Sequence, residues 1–136
     1  MNRREARDLA FSILFERSFN TDADAEKFYA DAIENRECAD DAYVREIFFG
    51  VEEKCAELDA VADKHFANWK RNRISNVSAA IIRLAVYEIL YTDIPNKVSI
   101  NEAIELSKKY DDEKTKTFIN GVLNAVAKEA EAKDEE

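Results

Sequence analysis

Ala6, Leu9, Ala10, Ile13 and Leu14 fall on one face of a helix predicted from about Arg3 to Phe19. Phe11 and Phe15 widen the apolar arc and leave Glu5, Asp8, Ser12 and Glu16 as a narrow wet strip. A helix this apolar must be touched by neighbours on several sides. Arg3, Arg4 and Arg7 share the sector of Leu14, Phe11 and Phe15, so the inward face turns basic at its N-terminal end. A second helix follows Thr21-x-x-Asp24, turns Phe28, Tyr29, Ala32 and Ile33 inward, and stops at Asn35-Arg36-Glu37. Then Val44, Phe48, Val51, Cys55, Leu58, Ala62 and His65 recur at alternating steps of four and three. They predict one helix from about Asp41 to Trp69, roughly 40 Å long, with Asp40 and Asp41 as acidic start signals. Gly50 inside it costs about 1 kcal/mol against alanine, which close packing of another helix would explain. The same spacing could form a coiled-coil seam, but in a chain this short it reads first as core.

Lys70-Arg71-Asn72-Arg73 is a basic link, and Ser75 can cap a fourth helix carrying Val77, Ala80, Ile81, Leu84, Ala85 and Ile89. This helix is apolar around most of its circumference, so it too is central. Arg83, its internal positive charge, is either a surface residue beside the basic link or half of a buried ion pair. Pro95 closes an extended joint, Thr92-Asp93-Ile94, because the residue before proline avoids helix. Ser99-Ile100-Asn101-Glu102 has the form of a capping box for a fifth helix reaching Tyr110. Asp111-Asp112-Glu113 opens a last helix with the stripe Phe118, Ile119, Val122, Leu123 and Val126. From Lys128 the residues read as a charged, fraying end. The expectation is an all-α fold, six to seven helices in two small packed bundles. The N-terminal subdomain would span about 1–70, the C-terminal one about 71–130, with a charged tail over 128–136.

Composition supports this picture. The chain has 136 residues, long enough to bury a core without disulfides or metal. Two glycines and one proline are far too few for the turns of an all-β fold. No apolar run spans a bilayer, and Asn2-Arg3-Arg4-Glu5 carries a charged helix pattern instead of a signal peptide, so a cytoplasmic location is expected. Cys38 and Cys55 have no C-x-x-C spacing, and the single histidine, His65, cannot build a zinc site with them. No phosphate-binding glycine loop or nucleophile elbow occurs. An enzyme is therefore possible but has no motif behind it, and no metal or cofactor is expected.

Charge changes the picture more. The net charge is −9, which argues against nucleic acid until its distribution is considered. Residues 21–60 hold thirteen acids against four bases, whereas residues 61–90 hold five bases against two acids. Arg3, Arg4 and Arg7 oppose the macrodipole of the first helix, at roughly 0.3–1 kcal/mol each when exposed. They read either as a solvated tail or partners of the acidic segment, or as a phosphate-binding edge. Tyr110, Lys114 and Phe118 are spaced by fours around the last joint, with Lys108, Lys109 and Lys116 beside them. Lysines that meet phosphates and rings that stack on unpaired bases suit single-stranded RNA. Against this, Phe118 lies on the buried stripe, and Tyr110 could simply close a helix end.

Three segments, RREARDLAFSILFE, IIRLAVYEIL and IPNKVSINEAIELSKKY…FINGVLN, resemble the NusB family in the same order, over roughly residues 3 to 127. The resemblance implies an all-helical, non-enzymatic antitermination factor. Such a factor binds boxA RNA together with NusE, a small-subunit ribosomal protein, and joins the elongating RNA polymerase complex to promote ribosomal RNA transcription. Carried over by position, its RNA-binding residues are Arg3, Arg4, Arg7, Arg83, Tyr110, Lys114 and Phe118, with Lys116 beside them. The NusE surface is expected near Tyr87, Glu88 and Tyr91. The family's domain also occurs fused to an RNA cytosine methyltransferase, for which 136 residues leave no room. In this sequence the N-terminal arm is short, Asn124 stands where the family often has an acid, and Lys114 replaces what is acidic in some relatives. The alternative is a helical protein–protein interaction module, or a homodimer built on the long heptad stripe, without specific RNA binding.

Overall fold

Helix α1 (Arg3–Arg17) begins at a reciprocal capping box that the surrounding arginines obscure in the sequence. The Glu5 backbone N–H donates to Asn2 Oδ1 at 2.8 Å, and the Asn2 N–H donates to Glu5 Oε1 at 3.0 Å. Two otherwise orphaned donors are thereby satisfied, and Glu5 puts a negative charge in the first turn. Asn2→Ala should lower stability by about 1 kcal/mol, read as a reduced urea midpoint at unchanged slope.

The computed structural model describes residues 1–66 and 74–134. After α1 come α2 (Ala25–Asn35), α3 (Ala42–Asp63), α4 (Asn76–Tyr91), α5 (Asn96–Tyr110) and α6 (Glu113–Asp134), with no strand among the described residues. Helix α4 is the central element, packed against α1, α3, α5 and α6. Ile81, Leu84, Val86 and Ile89 on different sides of it are all buried. One apolar cluster runs from Ala6 on α1 to Ala127 on α6. No described helix is long and apolar enough to cross a membrane.

Gly50 has the reason the sequence suggested. A Cβ there would overlap the Tyr87 ring, so the missing side chain lets α3 and α4 approach. Val44, Phe48, Val51, Leu58 and Ala62 of the heptad stripe are buried in the monomer. That stripe is core, so it is not a seam for a second copy. Arg83 resolves to the ion-pair alternative: its Nε donates to Asp59 Oδ1 at 2.8 Å and its Nη2 to Oδ2 at 3.2 Å.

Four boundaries differ from expectation. Asp24, not Thr21, caps α2, accepting from the Lys27 N–H at 3.0 Å. Helix α3 ends at Asp63, ahead of the expected end; Trp69 and the link Lys70–Arg73 lie outside the described residues. Helix α5 starts at Asn96 with Pro95 as its N-cap, so Ser99 is inside the helix and caps nothing. Proline's fixed φ, here −57°, already sets the chain for helix, and the Ser99 hydroxyl is drawn to a buried carboxylate instead. Helix α6 runs through Lys128 to Asp134 where fraying was expected. Glu129 holds it: Lys64 Nζ donates to Oε1 at 3.2 Å, and His65 Nε2 lies 2.9 Å from Oε2. Those two contacts, the His65 one foremost, hold the Glu129 carboxyl down to about 2.

Candidate nucleic-acid interface

The basic end of α1 divides its arginines between the inside and the surface. Arg7 is only 3% exposed and Glu88 of α4 is 0% exposed. Arg7 Nε donates to Glu88 Oε2 at 2.8 Å, and Nη2 donates to Oε1 at 3.3 Å. The Ser99 hydroxyl of α5 donates to Oε1 at 2.8 Å, and the Tyr43 hydroxyl of α3 donates to Oε2. One carboxylate therefore ties four helices. Burial alone would weaken the Arg7 charge, but the hydrogen bonds and charge of Glu88 outweigh it and raise its pKa. Burial and then the Glu88 charge push the Tyr43 hydroxyl well above the ordinary tyrosine range.

This network corrects two expectations. Arg7 has no exposed charge to offer a phosphate, because its guanidinium is committed to Glu88. Glu88, in turn, has no surface with which to meet a partner protein. Phe118 is the third correction: it is 9% exposed and packs against Phe66 with ring centroids 5.5 Å apart, so its face is not open to a base.

What remains outside converges from both ends of the chain. Arg4 of α1 pairs with Glu102 of α5 at 3.0 Å. Lys109 Nζ and the Tyr110 hydroxyl both reach back to Asp8 of α1, each at 2.6 Å. The Tyr110 ring rests on Phe11, centroids 4.9 Å apart, yet the residue is 38% exposed. Arg4, Asn101, Lys108, Lys116, Thr117 and Asn120 line a continuing open cleft between α5 and α6. Lys114 is exposed on the first turn of α6, and neither it nor Lys116 makes an ion pair among the described residues. Arg3 sits apart, its guanidinium 4.3 Å from the centre of the Tyr43 ring. Arg83 lines a different cavity with Asp59, Ala62 and Phe66.

Thus the fold brings Arg4, Tyr110 and Lys116 to one edge, together with Lys108 and Lys109. It buries Arg7 and Phe118 behind that edge and sends Arg83 elsewhere. Asp8 and Glu102, the acids that hold the edge in place, were not recognised in the sequence. A helical wheel places Asp8 on a wet strip, but no local signal names a partner about a hundred positions away.

The surface around α4 is different in character. Tyr87 is mostly covered, and its ring lies 5.3 Å from that of Tyr91, which is 38% exposed. The Tyr91 hydroxyl donates to Glu57, and the Lys54 ammonium stands 4.9 Å from the ring centre. That hydrogen bond, chiefly, pushes the hydroxyl up to about 12. Glu46 and Glu53 lie near Tyr87.

Residues 4–128 match the NusB family. The chain belongs to that family. A transcription antitermination protein NusB of Clostridium botulinum is 44% identical over 133 residues, which cover 94% of this chain and 99% of that protein. Among solved structures, NusB of T. maritima superimposes with a TM-score of 0.83 at 34% identity, covering 95% of this chain and 92% of that one. A structure described as the antitermination factors NusB and NusE in complex with dsRNA matches with a TM-score of 0.80 at 26% identity, over 93% of this chain and 96% of that one. The all-helical fold and the family expected from the three sequence segments are both borne out.

Proposed function

We propose that this chain is a transcription antitermination factor that binds boxA RNA together with NusE, joins the elongating RNA polymerase complex and promotes ribosomal RNA transcription. It works in the cytoplasm as a binding protein and catalyses no reaction. The observation that carries the reading is the meeting of Arg4, Lys108, Lys109, Tyr110 and Lys116 along one open edge of a NusB-family fold. Lysines and an arginine on the edge meet backbone phosphates, and the exposed Tyr110 ring offers a stacking surface for an unpaired base. Lys114 extends the edge at the start of α6. Arg7 supports it from beneath through Glu88. Phe118 acts similarly, by holding α6 in place.

The acidic-aromatic face on α3 and α4, with Tyr91 between Glu57 and Lys54, is the docking surface proposed for NusE. An excess of acid over residues 21–60 suits a basic partner, while the opposite charge on the edge suits RNA. In this reading the uneven charge serves two partners at once.

Titration of boxA RNA and of a scrambled sequence, with and without NusE, tests the proposal. BoxA should bind more tightly, and NusE should tighten it further. Arg4→Glu and Lys116→Glu should each weaken binding and flatten the log–log salt dependence by about 0.7, the single-strand value for one phosphate contact. Equal affinity for both RNAs, unchanged by NusE, would overturn the assignment. Sedimentation of the same samples reports whether a homodimer forms and whether RNA dissociates it.

A further inference from the structure

Two donors on the proposed RNA edge already hold an anion, and that anion is part of the protein. One oxygen of Asp8 accepts from Lys109 Nζ and the other from the Tyr110 hydroxyl. Arg4 and Lys108 line the same cleft. A phosphodiester carries two unbridged oxygens and the same negative charge, so it can take both donors in the same way. Resting on the RNA-binding reading above, we propose that Asp8 occupies the place of an RNA backbone phosphate on Lys109 and Tyr110. Binding then exchanges this carboxylate for a phosphate.

Other acids on the edge are held differently. Glu102 faces Arg4, and its second oxygen is also 4.0 Å from the buried Arg7, which fixes it to the four-helix network. Among the described residues Glu105 pairs only with Lys108, on its own helix, at 3.4 Å. Asp8 alone bridges from α1 to both the cation and the ring hydroxyl at the end of α5. No buried group fixes it there, and its side chain is half-buried at the border of solvent, 26% exposed, so that it can turn to water.

Exchange has an electrostatic signature. When Lys109 moves to a phosphate, the RNA releases a counterion, but the freed Asp8 carboxylate attracts a cation in turn. Lys109 should therefore contribute less than the full 0.7 to the salt slope while Asp8 is present. The contact also holds Tyr110 against Phe11, so its loss frees the ring to meet a base.

The test is Asp8→Asn in the full chain, titrated with single-stranded boxA RNA over a range of salt. Asparagine keeps the shape and an acceptor for Tyr110 but removes the charge. Affinity should rise by up to about fivefold at low salt, the equivalent of one exposed ion pair, and the slope should steepen by up to about 0.7. Lys109→Met should abolish the gain, so that the double variant binds like Lys109→Met alone. Glu26→Gln, the same charge change on α2, should leave binding unaltered. If Asp8→Asn binds no more tightly while Arg4→Glu still weakens boxA, the Asp8 inference fails and the RNA edge stands. A gain that survives in the Lys109→Met background is a net-charge effect and overturns the inference as well. Failure of every variant to distinguish boxA from scrambled RNA removes both readings. An unchanged urea midpoint for Asp8→Asn confirms that the comparison concerns binding.

Discussion

Glu88→Ala is expected to destabilise the protein by about 3–5 kcal/mol, the largest single effect of those considered. The substitution strands Arg7 in a site where it is 3% exposed, with Glu102 at 4.0 Å as the remaining nearby acid. It also removes the acceptor of the Tyr43 and Ser99 hydroxyls, each of which then pays for its own desolvation. Urea denaturation measures this directly. A loss below about 1 kcal/mol would show that the site relaxes or admits water and that the carboxylate is not the tie between helices. Replacing both charged partners by apolar residues, as in Arg7→Met with Glu88→Leu, should recover much of the loss, since a buried pair can be exchanged for packing at little net cost. Arg7→Glu would set two carboxylates face to face and is a test of folding; Arg4 and Lys116 are the residues with which to test RNA.

Gly50→Ala comes next. Helix propensity alone predicts a gain of about 1 kcal/mol. The structure predicts the opposite sign, a loss of roughly 1–3 kcal/mol, because the added Cβ overlaps the Tyr87 ring. The Tyr87 ring lies against that of Tyr91, centroids 5.3 Å apart and tilted by 32°, so it cannot slip aside without moving its neighbour. Thermal melting should show the loss, and Tyr87→Ala in the same background should be much less than additive. Because the displaced ring lies under Tyr91, the same variant should weaken NusE binding if that face is the dock. A stabilised Gly50→Ala would mean that α3 and α4 can separate freely at this point.

Much of the architecture was legible because it depends on local periodicity. The inward faces of α2 and α6, the central place of α4 and the packing role of Gly50 follow from spacing that a helix converts directly into geometry. Starts and stops were less legible. Ser99 and Glu102 have the right spacing for a capping box, yet proline four residues before Ser99 opens the helix first, and each side chain is drawn to a distant partner. Glu88 takes the serine and Arg4 takes the glutamate. At the other end, Asn2 and Glu5 made a box whose signal was masked by the arginines between and beyond them.

The site was legible as a region and not as a list of contacts. Sequence places Arg4, Arg7 and Tyr110 at two chain ends that do meet. It cannot tell which arginine points inward, because that depends on whether an acid from another helix waits in the core. Arg7 found Glu88, whereas Arg4 stayed outside with Glu102. Phe118 illustrates the same limit. Its position on the buried stripe was visible, and packing against Phe66 gave that position precedence over any contact with a base.

The four-helix tie at Glu88 also has a consequence in time. Arg7 and Glu88 are 81 positions apart, and Ser99 lies 11 further on. During synthesis the first helix leaves the ribosome long before its counter-charge exists. Helices α1 to α3 can collapse early, but their arginine must stay hydrated until α4 arrives to neutralise it, so the N-terminal half cannot close completely by itself. Completing the N-terminal half is then an electrostatic step, in which a later helix brings the anion that lets an early helix turn its basic end inward.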